Sequence, residues 1–115
     1  MIYQTRNPLG GCVVNIYSRN GALYIVPRTN LISDGISYLR ESFLGAIRDN
    51  SERTVVLDVN GVDVVDSMGV NLIIGLYREL DATSRTLQII NAGEKFMKVA
   101  DFFKFSSLFT ISTIT

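Results

Sequence analysis

Residues 54–59 (TVVLDV) constrain this chain more than any other stretch, because a helix-periodic segment precedes them and another follows. A short apolar run rich in β-branched residues and bounded by turn residues is the pattern of a strand covered on both faces. Such strands belong to parallel sheets, in which helices carry the crossovers. Upstream, Ile36, Leu39, Phe43 and Ile47 recur on one face over residues 35–49, opposite Arg40, Glu41 and Arg48, and Ser33 and Asp34 are placed to cap that helix. Downstream, Asp66-Ser67 opens a helix on which Val70, Ile73, Ile74, Tyr77 and Leu80 line one face.

The remaining segments extend the alternation. Residues 12–17 (CVVNIY) and 22–26 (ALYIV) flank Asn20-Gly21, a hairpin signal because a tight primed turn needs positive φ; Pro27 ends the second strand or confines it to an edge. Residues 86–90 (TLQII) form another strand. Ala92-Gly93 then leads into a helix on which Phe96, Val99, Ala100 and Phe103 share a face, and residues 108–114 (LFTISTI) alternate as a last strand. The expected order is β-β-α-β-α-β-α-β, a small single-domain α/β fold over 1–115 with a mixed sheet and helices packed on it.

Composition narrows the function. Eleven basic and eleven acidic residues cancel, and no basic block is present to follow a phosphate backbone, so no direct nucleic-acid partner is expected. The longest apolar runs fall far short of the ~20 residues of a membrane span. The first eight residues lack the basic region and apolar stretch of a secretory signal, and a single cysteine, Cys12, forms no internal disulfide, so a cytoplasmic setting is expected. Cys12 itself reads as a small core residue. Histidine is absent, which removes Ser-His-Asp and Cys-His chemistry, and no Gly-rich phosphate loop occurs. The expectation is a binding module that is not an enzyme and holds no metal or cofactor of its own.

The polar interruption Asp66-Ser67 (in VVDSMGV) is the candidate site. Asp or Ser before a helix is commonly a cap, accepting from the unpaired amides of the first turn. Two features strain that reading. Asp58 and Asp63 lie in the segment leading to the serine, so three carboxylates are expected near one mouth. Gly69 sits in the first helical turn, where a close approach to the backbone accounts for a residue that weakens helices.

The run Leu57-Asp58-Val59-Asn60-Gly61-Val62-Asp63-Val64-Val65-Asp66-Ser67-Met68-Gly69-Val70, continued by Leu72-Ile73-Ile74-Gly75-Leu76-Tyr77, resembles the core of STAS domains, in particular bacterial anti-sigma-factor antagonists. The resemblance extends in element order over residues 12–111 and is most specific over 55–80. Departures are Asn71, where the family often has Gly, and Pro27-Arg28-Thr29-Asn30-Leu31, which replaces a Gly-x-Leu-Asp type segment. The resemblance implies that Ser67 is phosphorylated by a partner anti-sigma factor, an ATP-dependent serine kinase, and that phosphorylation releases the pair. It implies partner contacts at Asp58, Asp63, Asp66, Ser67, Met68, Gly69 and Asn71. A STAS subunit of a transporter ATPase, or a scaffold in which Ser67 is only a cap, is the alternative. Five phenylalanines crowd residues 96–109; they read as core beneath the third helix, with some left over for a homodimer or partner patch.

Overall fold

The computed structural model describes residues 2–6 and 12–113, and their side chains from residue 14 onward. Six strands form one sheet in the order of the chain: β1 (Ile2–Arg6), β2 (Cys12–Arg19), β3 (Ala22–Pro27), β4 (Thr54–Asp58), β5 (Thr86–Ala92) and β6 (Thr110–Thr113). β1–β2 and β2–β3 are antiparallel, whereas β3–β4, β4–β5 and β5–β6 are parallel. Helices α1 (Ile36–Asp49), α2 (Ser67–Ala82) and α3 (Glu94–Phe102) carry the three parallel crossovers. The sheet therefore has an upper rim, where β3 to β6 end, and a lower rim, where they begin.

The pleat separates the two faces. Val14, Ile16, Leu23, Ile25, Val55, Leu57, Leu87 and Ile89 alternate toward the helices and are all at least 97 % buried, joining Ile36, Leu39, Phe43, Ile47, Val70, Ile73, Leu76, Leu80, Phe96 and Ala100 in one core. Each such aliphatic side chain contributes about 1.5–3 kcal/mol through burial. On the opposite face Tyr17 and Tyr24, directly paired across the hairpin, stack with ring centroids 5.0 Å apart and planes within 2°. The turn joining their strands has Asn20 at φ 52° and Gly21 at φ 80°, as the Asn-Gly pair predicts.

Several expectations are corrected. β1 was not expected: its five residues are held by main-chain pairing to β2, which leaves little trace in side-chain pattern. Neither Ser33 nor Asp34 caps α1; the N-cap is Gly35 in the left-handed region (φ 81°), with no side-chain bond. Leu72 and Leu76 are buried in addition to the expected face of α2, because α2 packs on α1 as well as on the sheet. The last strand is shorter than 108–114: a single 3-10 turn, Phe105–Ser107, precedes it, Leu108 is exposed, and residue 114 lies outside the described residues. Phe103 falls past the end of α3 and is 43 % exposed, so it leaves the face shared by Phe96, Val99 and Ala100. The side chain of Cys12 lies outside the described residues.

At the lower rim Arg85 staples the end of α1 to the loop before β4. Its Nε donates to the carbonyl of Glu52 (2.7 Å) and its guanidinium NH1 group to that of Ile47 in the last turn of α1 (2.5 Å). Glu52 in turn accepts from the Ser18 hydroxyl, the main cause that holds its carboxyl below the ordinary range.

Candidate functional site

The upper rim is built by main-chain geometry around α2. β4 ends at Asp58, whose Oδ1 accepts from the Asn60 amide (3.0 Å) and from Asn91 Nδ2 (3.1 Å) at the end of β5, where Asn91 takes a left-handed φ of 59°. The chain turns through a Val62 N–H to Val59 C=O bond of 3.0 Å, burying both valines. It then runs beside the segment that follows β3. Asn30 Oδ1 accepts from the amides of both Asp63 and Val64 (3.0 Å each), Leu31 donates to the carbonyl of Val64 (3.0 Å), and Asp66 donates to that of Leu31 (3.1 Å).

That clasp explains Gly69. A Cβ built there would stand 1.9 Å from the Leu31 carbonyl oxygen and 2.9 Å from its Cβ, far inside contact distance. The close approach expected from a glycine in a first helical turn is made by the protein's own backbone, and Leu31 is fully buried under it.

Asp66 is the N-cap of α2. Its Oδ1 accepts from the amides of Met68 (2.9 Å) and Gly69 (3.0 Å), and Oδ2 from the amide of Ser33 (2.8 Å), so one carboxylate satisfies the α2 terminus and fastens the loop before α1. The Ser33 amide, then that of Gly69, hold its carboxyl below the ordinary carboxylate range. Ser33, read from sequence as a cap for α1, thus serves the α2 junction through its backbone.

Ser67 follows as the first residue of the helix, exposed, with no hydrogen bond to its hydroxyl among the described residues. Asp63, Val64 and Asn71 are exposed beside it and Met68 is half-buried. Val64, 47 % exposed with both its N–H and C=O held, is an apolar element of this surface that periodicity did not single out. Asn71 borders a recess of about 140 Å³ between α1 and α2, lined also by Arg40, Leu44, Leu72, Gly75 and Glu79; a Cβ on Gly75 would meet nothing within 4 Å.

The three carboxylates do not converge. Asp58 is committed to the β4–β5 ends, Asp66 to the cap, and Asp63 stands in solvent; among the described residues no group of three His, Cys, Asp or Glu is placed to hold a metal ion. Asp66, with both oxygens engaged by amides, orients the first turn and is badly placed to take a proton from Ser67. The arrangement therefore presents a hydroxyl without activating it.

The model of the STAS domain family matches residues 14–114. The chain belongs to the STAS domain family. Its fold is shared with an anti-sigma factor antagonist from Mycobacterium paratuberculosis (TM-score 0.79, 13 % identity, covering 94 % of this chain and 90 % of that one). SpoIIAA is a second relative, solved as an anti-sigma factor antagonist in its unphosphorylated form (TM-score 0.67, 20 % identity, 89 % of each chain). The phosphorylated form of the Bacillus cell fate determinant SpoIIAA is similar too (TM-score 0.66, 21 % identity, 87 % of this chain and 91 % of that one). A sulfate transporter family protein from Wolinella succinogenes has the fold as well (TM-score 0.69, 12 % identity, 84 % and 80 %). No curated protein sequence matches the chain. Among the described residues no helix is long and apolar enough to cross a membrane.

Proposed function

We propose that this STAS protein is an anti-sigma factor antagonist, a cytoplasmic binding module that engages an anti-sigma factor with serine kinase activity and is released when that partner phosphorylates Ser67. The observation that carries the reading is the free, exposed Ser67 hydroxyl on a first helical turn fixed by Asp66, in a fold shared with SpoIIAA in both phosphorylation states. ATP and magnesium belong to the kinase, and transcription is regulated through the sigma factor that the kinase otherwise holds.

The switch is electrostatic. A phosphate adds a charge of about −1.5 to −2 at the amino end of α2, where the helix dipole and first-turn amides favour an anion, so the fold is retained. The cost falls on the interface. One unit charge on the partner about 4 Å away is repelled by ~4 kcal/mol at an effective dielectric of 20, close to a thousandfold in affinity. Asp63, Met68 and Asn71 flank the hydroxyl and are the proposed contacts, whereas Asp58, Asp66 and Gly69 contribute by holding the surface in shape.

The similarity to a sulfate transporter family protein favours a second reading, in which the domain serves a transporter and Ser67 stays unmodified. Incubation with a candidate anti-sigma-factor kinase and ATP, followed by mass spectrometry and a pull-down, separates the two. Phosphate is expected on Ser67 alone, Ser67→Ala is expected to remain bound in the presence of ATP, and Ser67→Asp to bind at least a hundredfold more weakly. Phosphate on Ser33 or Ser84 instead, or wild type and Ser67→Asp binding alike, rejects the proposal.

A further inference from the structure

At the far edge of the sheet β6 pairs only with β5, so the outer side of its backbone is open among the described residues. Edge strands in natural proteins are guarded against pairing by brevity, charge, proline or a bulge. β6, Thr110-Ile111-Ser112-Thr113, is short at four residues but has no charge and no proline, and its register irregularity falls on the β5 side. Beside the start of β6 lie Phe102 (79 % exposed), Phe103 (43 %) and Leu108 (38 %), three of the four large exposed hydrophobics among the described residues. The two rings connect to the core: Phe102 meets Phe103 edge-on at 5.0 Å, Phe103 lies 6.4 Å from Phe105, and Phe105 is fully buried.

We infer that this surface is a homodimer interface, in which two β6 strands pair antiparallel about a twofold axis and the Phe102, Phe103 and Leu108 patches cover one another. A twofold contact requires a surface complementary to itself. An open strand edge meets that condition, since the same row of donors and acceptors serves both copies when they run antiparallel. The exposed rim of the patch carries Lys98, Asp101 and Lys104, so a rotated copy can set Asp101 against a lysine, and a chain of zero net charge brings no long-range repulsion. A lipid surface is the poorer occupant: it offers nothing to the open amides of β6, and two lysines against one aspartate make a weakly basic rim.

The location has a functional consequence that does not depend on the role proposed for Ser67. α3 runs from the upper rim to the lower, so Phe102 and Phe103 lie at the end of the sheet opposite Ser67, and pairing leaves both Ser67 hydroxyls open.

Sedimentation velocity of the full chain from low to high micromolar concentration tests the inference, together with Phe102→Asp, which alters an exposed ring, and Ser112→Lys, which places a charge on the edge. Wild type is expected to reach twice its 12.8 kDa mass, and each variant to raise the dissociation constant at least tenfold with far-ultraviolet circular dichroism unchanged. A wild-type monomer throughout, or a dimer that both variants leave intact, overturns it. So does a monomer captured by phosphatidylcholine–phosphatidylglycerol vesicles and released by Phe102→Asp, which assigns the patch to a membrane surface instead.

Discussion

The two rims of the sheet solve the same problem with opposite charge. At the upper rim the carboxylate of Asp66 accepts from three backbone amides, two of them at the start of α2 and one in the loop before α1. At the lower rim the guanidinium of Arg85 donates to two backbone carbonyls, one in the last turn of α1 and one in the loop before β4. Each ion answers the orphan groups and partial charge of the helix end it meets. The outcomes differ. Arg85 closes its rim inward, beside a cavity of about 450 Å³ lined by Arg48, Arg53, Glu79 and Arg85, in which Arg48 pairs with Glu79 at 3.1 Å. Asp66 leaves the Ser67 hydroxyl unpaired and facing out, where the helix amides favour an anion.

The sharpest way to break the comparison is Gly69→Ala. With the Leu31 carbonyl at 1.9 Å from the new Cβ, the clasp between the two upper loops must open, and urea unfolding is expected to show a loss of about 3 kcal/mol or more. Gly75→Ala, in the same helix but facing open space, is the control, expected to be neutral or to stabilise by up to about 1 kcal/mol. A mild effect at Gly69 would mean that Leu31 is not fixed and that the upper rim is softer than the lower.

The next effect belongs to the lower rim. Arg85→Met keeps much of the apolar stem and removes two charge-assisted bonds, for an expected cost of about 2 kcal/mol by urea unfolding. Phosphorylation of Ser67 is expected to proceed unchanged, because nothing at this rim touches the hydroxyl. If the rate of phosphate incorporation falls with stability, the two rims are coupled and do not act independently.

The smallest effect is the most diagnostic. Asp66→Ala is expected to lower the melting temperature by about 5 °C near neutral pH. Because folding lowers the pKa of Asp66, its contribution is present above the unfolded-state value of about 4 and is lost as pH falls through the lower folded-state value. Wild type and variant should therefore converge in strong acid when melting is followed against pH. A gap that persists there would mean that Asp66 acts by shape and not by charge.

Much of the fold was legible because the helix faces and buried strands carry their periods openly: Ile36, Leu39, Phe43 and Ile47 all face the core as their spacing requires. β1 was not, since an edge strand held by backbone pairing owes little to side-chain order. The same reasoning explains the site. Ser67 and Asp66 could be read from a polar pair at a strand-to-helix junction, and Gly69 announced a close approach, but the sequence did not say what approached. The answer, Leu31, lies 38 positions upstream in a segment remarkable only for its departure from the family pattern. Asn30 accepts from two backbone amides and Asn91 donates to the Asp58 carboxylate, each more than thirty positions away, and no local rule ties an asparagine to partners so distant in sequence. Phe103 and Leu108 fit an apolar period, but α3 ends before Phe103 and a 3-10 turn precedes Leu108, so both are left in solvent.

The stacked pair Tyr17–Tyr24 gives the molecule an optical probe of its own. With no tryptophan in the chain, near-ultraviolet absorption is dominated by tyrosine, and two parallel rings 5.0 Å apart couple their transitions. They stand on the sheet face turned away from α2, so their coupling follows the integrity of the β2–β3 hairpin and is insulated from charge added at Ser67. Loss of the hairpin and modification of the serine therefore fall into separate channels, one read by light and the other by mass.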